Sequence, residues 1–242
     1  MLFRQLFDPE SSTCTYLIAD LATQEAVLVD PVLDQVDRDL QLLRELGLTL
    51  RYCLETHIHA DHVTGTDQLR KLTGCLGVLP EHAQAACADM HLKDGEKLEL
   101  GTVTITAIAT PGHTDSHNAY LVNEDRILTG DALLIRGCGR TDFQGGDASC
   151  LYRSVTQRLF TLPDATLVFP GHDYRGRTVS TIGEEKRWNP RFIRHAGETF
   201  TLKSDAQFVE LMTNLNLPMP KKMSEAVPAN EQCGKPISKV ST

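Results

Sequence analysis

Among 242 residues no apolar run approaches the roughly 20 residues that a membrane-spanning helix needs, so no membrane association is expected. Basic charge is also scarce. The 24 Lys and Arg are outnumbered by 32 Asp and Glu, giving a formal net charge of -8, and the basic clusters are short, as at Lys221 and Lys222. Such a balance repels a phosphate backbone and excludes nucleic acid as an expected partner. There is no internal repeat, no low-complexity block and no Gly/Ser-rich linker, which leaves one globular domain spanning 1-242 as the expectation. Seven cysteines form no C-x-x-C pair. The opening "MLFRQLFDPESS" lacks the apolar core of a signal peptide and the Arg/Ser-rich character of a transit peptide. The expected compartment is therefore the cytoplasm, and the cysteines are expected to be reduced thiols, mostly small core hydrophobes.

An apolar fraction of 41% is enough to build a sizeable core. "TYLIAD", "EAVLVDP" and "RYCLET" are short β-branched or apolar runs ended by polar or turn residues, and they are expected as strands. Between the last two, Val36, Leu40, Leu43 and Leu46 recur at helical spacing before Gly47, a good helix stop. A second helix is expected from near Asp61 through Leu69 and Leu72 to Gly74, and a third after Asp147. "VTITAIATPGH" alternates as a strand, and "NAYLVNEDRILTGD" has the form of a hairpin about Asn123, Glu124 and Asp125. Ser204 and Gln207 can make a capping box over a further helix. From Leu217 onward, Pro, Gly and few apolar residues suggest an extended tail on the surface. The fold class is thus α/β with two sheets and a C-terminal elaboration over about 175-242.

The informative residues stand at strand ends. His57, His113, Asp131 and His172 each follow an expected strand at once, the last three directly after a glycine that permits a tight turn. Beside the first, "ETHIHADH" adds His59, Asp61 and His62. Imidazoles and carboxylates on loops at the end of a rigid sheet are the ligand set for zinc, iron or manganese. His82, His91 and His195 have no such company and are expected on the surface. His117, four residues past His113, is a candidate support for a ligand.

The pattern H-x-H-x-D-H at 57-62, followed by His113, Asp131 and His172, resembles the metallo-β-lactamase superfamily, over residues 13-175. The resemblance implies an αββα sandwich. In the hydrolases of that superfamily the residues matching His57, His59 and His113 hold one metal, those matching Asp61, His62 and His172 a second, and the one matching Asp131 bridges. On this pattern alone a binuclear zinc hydrolase of glutathione thioesters, of the glyoxalase II type, is the competing expectation.

Other stretches point to another branch. "TGDALLIRGCGRTDFQGG", "FPGHDYRGRTVSTIGEEKRWNPR" and "NLNLPMPKKMSEAVPANEQCG" are similar to the glutathione-persulfide dioxygenases, and so is the opening "FRQLFDPESSTCTYLIAD". This resemblance implies one Fe(II) per chain held by His57, His113 and Asp131, with His59, Asp61, His62 and His172 in a supporting shell or around a vacant second metal position. Two histidines and one carboxylate form the facial triad that leaves coordination positions open. The chemistry favours iron independently, since zinc has no accessible redox change with which to serve dioxygen. The reaction implied is oxidation of the sulfane sulfur of glutathione persulfide by O2 and water to sulfite and glutathione. Arg140 and Tyr174 match positions that line the glutathione pocket, and a guanidinium suits a glutathione carboxylate; an ion pair with Asp142 is the alternative for Arg140. Cys233 matches a cysteine of the family's tail, either facing the pocket or simply buried. Asp115 and His117 depart from the smaller or apolar residues of several members. The resemblance also favours a homodimer.

Overall fold

A computed structural model describes residues 1–235. The chain builds two six-stranded mixed sheets. The first holds, in order, β1 (Leu2–Asp8), β2 (Thr13–Asp20), β3 (Glu25–Val29), β4 (Thr49–Leu54), β5 (Leu76–Pro80) and β6 (Met90–Leu92). β1 to β3 form an antiparallel meander, and β3 to β6 run parallel. The second sheet has the order β12-β11-β10-β9-β8-β7, from β7 (Lys97–Leu100), β8 (Val103–Ala109), β9 (Asn118–Val122), β10 (Arg126–Gly130), β11 (Leu167–Pro170) and β12 (Ser180–Thr181). A two-stranded ribbon, β13 (Ile193–Ala196) with β14 (Thr199–Leu202), stands apart. The helices are α1 (Val36–Glu45), α2 (Thr66–Thr73), α3 (Ala148–Gln157), α4 (Ile182–Trp188), α5 (Asp205–Thr213) and α6 (Met223–Asn230).

The described residues fall into two compact units. One comprises residues 1–92, 99–103 and 218 onward, and the other residues 93–98 and 104–217. In the first, Leu17 and Ala19 of β2 and Leu28 of β3 pack with Val36 and Leu43 of α1 and Leu69 of α2. All eight residues of β2 are buried, which explains its run of apolar and small residues in place of a clean alternation. In the second, Ile127 and Val168 of neighbouring strands meet Leu151 and Val155 of α3 and Phe208 and Met212 of α5. Residues after 175 are therefore part of that core, with Ile182 and Phe192 fully buried.

Most expected elements form where the pattern puts them. α1 ends at Glu45 before Gly47, whose φ of 64° only glycine adopts at no cost. Asp147 caps α3 through a bond from the Cys150 N–H, Ser204 and Gln207 make the full capping box of α5, and the β9–β10 hairpin turns at Asn123 and Glu124, both at positive φ. Three expectations fail. α2 starts at Thr66 instead of near Asp61, because residues 61–65 are pinned from outside: the Gly65 N–H donates to Pro31 O and the Thr64 N–H to Asn230 Oδ1. The tail is not simply extended, since Met223–Asn230 is helical with Ala226, Ala229 and Asn230 buried. Nor are all cysteines reduced: Cys87 and Cys233 form a disulfide across 146 residues of sequence, a proximity that only the fold creates. Cys14, Cys53, Cys75 and Cys138 are buried free thiols, as expected.

Candidate metal centre

In the first unit the chain leaves β4 into the ligand loop, and buried acids outside that loop hold it. The Thr56 hydroxyl donates to Asp30 Oδ2 at 2.9 Å, so its oxygen is left to accept from His57 Nδ1, also at 2.9 Å. That relay places the His57 ring proton on Nδ1, which would leave Nε2 as the nitrogen for a metal. His59 Nε2 lies 3.1 Å from Asp30 Oδ1 and 3.4 Å from Glu55 Oε2. Burial alone would favour a neutral His59, but the two carboxylates outweigh it and hold its pKa well above the usual range. Burial would likewise raise Asp30; the charge of His59 and bonds from His59 and Thr56 bring it below its ordinary value instead. Asp61 Oδ2 accepts from His62 Nδ1 at 2.9 Å and from the Thr13 hydroxyl at 3.2 Å. His59, Asp61 and His62 offer ligand atoms within 4.8 Å of one another, and so do Asp30, Glu55 and His59.

The second unit presents its ligands singly, at the ends of strands. His113 follows β8 through Gly112, whose φ is 130° and where a side chain would strike the backbone of Leu151. His113 Nδ1 donates to Arg140 O at 2.7 Å, which again leaves Nε2 for ligation; Nε2 stands 3.6 Å from Asp131 Oδ2. Asp131 ends the turn after β10, and His172 follows β11 with its Nε2 3.5 Å from Asp131 Oδ1. Gly139 also lies close, since a Cβ there would stand 2.6 Å from Asp131 O and 2.7 Å from His113 Nδ1. His117, expected as a support, is buried: its Nε2 accepts the Asp131 backbone N–H at 3.1 Å and its Nδ1 faces the Thr110 hydroxyl at 2.8 Å. Asp131 is thus oriented through its own main chain.

The segment after Asp131 is braced by side chains of the charged stretch 183–192. Asn189 Nδ2 donates to Gly137 O at 2.9 Å, and buried Glu185 accepts from the Arg136 N–H at 3.0 Å. Arg140 makes a two-pronged ion pair with Asp142, both bonds 2.6 Å, and lies over Phe143 at 4.9 Å. This is the arrangement of the alternative expectation. The pairing pushes the Arg140 pKa up and Asp142 down. Tyr174 is 67% exposed and stacks on His172 with ring centroids 5.6 Å apart.

The donor set fits a hard or borderline metal. Three buried ligand-type atoms, His59 Nδ1, His62 Nε2 and Asp131 Oδ1, make no hydrogen bond within the protein, which is costly unless an ion or its water takes them up. His82, His91 and His195 are exposed as expected, and His195 stacks on Trp188. Asp30, Thr13 and Asn230 carried no signal in the sequence, because each reaches the ligand loop from a distant segment, and Thr56 inside the loop has no distinguishing pattern. Asn230 donates to His59 O and His62 O.

Comparison with known proteins agrees with this geometry. The family model described as metallo-β-lactamase superfamily matches residues 8–172. Human and mouse proteins named persulfide dioxygenase ETHE1, mitochondrial, are 49% and 48% identical over 97% of this chain and 89% of their own length. The crystal structure of ETHE1 from Myxococcus xanthus superposes with a TM-score of 0.90 at 56% identity, covering 97% of this chain and all of that one.

Proposed function

Because the chain belongs to the metallo-β-lactamase superfamily and, within it, to the persulfide dioxygenases, we propose that it oxidises the sulfane sulfur of glutathione persulfide with O2 and water, giving sulfite and glutathione. The observation that carries this reading is the similarity to enzymes of that name along 97% of the chain. His57, His113 and Asp131 would hold one Fe(II), a reading supported by their chemistry, two imidazoles and one carboxylate, the donor set of a facial triad. Bound iron(II) would supply the electrons that redox-inert zinc cannot, at open coordination positions. The chain's own share is placement. The Asp30–Thr56 relay holds His57 with Nε2 unprotonated, and the Arg140 carbonyl does the same for His113. His117 sets Asp131 through its N–H. Arg140, fixed by Asp142 and Phe143, offers positive charge to a glutathione carboxylate, and Tyr174 offers its hydroxyl.

Binuclear zinc hydrolysis of glutathione thioesters is the second reading, favoured by the intact His59, Asp61 and His62 group. Anaerobic purification, metal analysis and oxygen uptake separate the two. One iron per chain with uptake driven by glutathione persulfide is expected; two zincs per chain with thioester hydrolysis would overturn the proposal.

A further inference from the structure

The C-terminal segment grips the ligand loop through polar atoms as well as apolar contact. Every polar atom of the buried Asn230 amide is used: Nδ2 donates to His59 O at 2.9 Å and His62 O at 2.8 Å, and Oδ1 accepts the Thr64 N–H at 2.8 Å. The amide orientation follows from these partners, since a flipped group would set its oxygen against two carbonyls. Farther on, Cys233 O accepts the Asp67 N–H at 2.9 Å in the first turn of α2. Gly234, at φ 91°, lies so close to Thr64 that a Cβ would meet its carbonyl oxygen at 2.1 Å. One short stretch, 230–234, thus satisfies main-chain groups at 59, 62, 64 and 67, in and just after the loop that carries His57, His59, Asp61 and His62.

A single covalent bond ties this stretch down. Cys233 is buried against Ile58, Leu79, Ala83 and Ala85, and its sulfur is bonded to Cys87. Cys87 is only half-buried, so the bond has one side open to a small reagent.

We propose that residues 230–234 clamp the metal-ligand loop and that the Cys87–Cys233 disulfide is a thiol-sensitive latch on that clamp. A low-molecular-weight thiol attacks the Cys87 sulfur, breaking the S–S bond and releasing Cys233 as a thiolate that takes up a proton. A second thiol attacks the small-molecule sulfur of the mixed disulfide, freeing Cys87 as a thiol and leaving the reagent as its own disulfide. Two electrons and two protons pass from the thiols to the two cysteines. The clamp then stays only by its hydrogen bonds and apolar contacts, and the loop opens more often. The consequence for iron rests on the metal reading above; the effect on the loop does not.

The test uses the full chain loaded with iron, with and without glutathione, and reads amide hydrogen exchange across residues 57–67 together with iron release to a strong Fe(II) chelator. Thiol titration reports whether the bond has opened. Opening it is expected to speed both readouts about tenfold, an ordinary coupling between sites, while peptides of 104–217 stay unchanged. Cys87→Ser should be fast already and indifferent to glutathione. Asn230→Asp keeps the acceptor for Thr64 but loses both donors, and should speed exchange in either redox state. Unchanged exchange across 57–67 after the bond opens would overturn the latch, and so would two free thiols at these positions in air-purified protein. Faster exchange without faster iron release would keep the latch and count against the ligand role of the loop.

Discussion

The two units hold their ligand residues by different means. In the first, three imidazoles and an acid crowd one loop after β4, and partners brought from Thr13, Asp30 and Asn230 keep them in place. In the second, His113, Asp131 and His172 sit on separate strand ends, and main chain supports two of them: the Arg140 carbonyl on His113 and the Asp131 N–H on His117. A crowded loop needs side-chain scaffolding, whereas ligands spread over a sheet edge need tight turns and close backbone approach. The first design is vulnerable to loss of a hydroxyl or amide, the second to an added methyl.

Gly139→Ala attacks the second design directly. Its Cβ would press on Asp131 O and on the His113 ring, so turnover should fall by about a hundredfold, the cost of a misplacement near 1 Å. Steady-state oxygen uptake checks this, and an alanine variant as active as the parent would remove the distinction. Thr56→Val attacks the first design by cutting the relay from Asp30 to His57 while keeping the shape. Iron affinity measured by competition with a chelator should weaken by about 10- to 100-fold. Arg140→Lys leaves its carbonyl on His113 but loses the two-pronged grip of the guanidinium. Iron content should hold while KM for glutathione persulfide rises about tenfold, the worth of one charge-assisted bond. Michaelis behaviour identical to the parent would reassign Arg140 to its ion pair alone.

Asp39, on α1 of the first unit, tests stability and not chemistry. Burial, partly offset by Arg38, raises its pKa to about 6. The folded chain therefore keeps this proton between pH 4 and 6 where the unfolded chain has released it, and this site's contribution to stability falls as pH rises through that window. Asp39→Asn should stabilise the fold by at most about 3 kcal/mol at pH 7, with the gain vanishing near pH 4. Melting curves at the two pH values measure it.

The same contrast explains how much the sequence revealed. Strand-end ligands are legible because each stands directly after an apolar run, three of them behind a glycine, and the crowding at 57–62 is visible at a glance. Asp30 and Thr56 are not, since a carboxylate ending a strand and a threonine before a histidine have ordinary surface uses. Asn230 is masked by its Pro- and Gly-bearing neighbourhood, and the start of α2 was misplaced because its true boundary is set by that residue from far along the chain. The Cys87–Cys233 pair escapes for the same reason: sequence carries no trace of a 6.0 Å Cα separation between residues 146 apart. Glu185 and Asn189 hide in a charged run because helix packing, and not composition, decides which of its members go inside.

Position 140 joins two tasks in one residue without making them depend on each other. Its carbonyl steadies an imidazole, and any amino acid except one that distorts the turn can provide that oxygen; its side chain separately pairs with Asp142. On the substrate role proposed for Arg140, a change of side chain would redraw the preferred thiol carrier at this point while the support of His113 stays as it is.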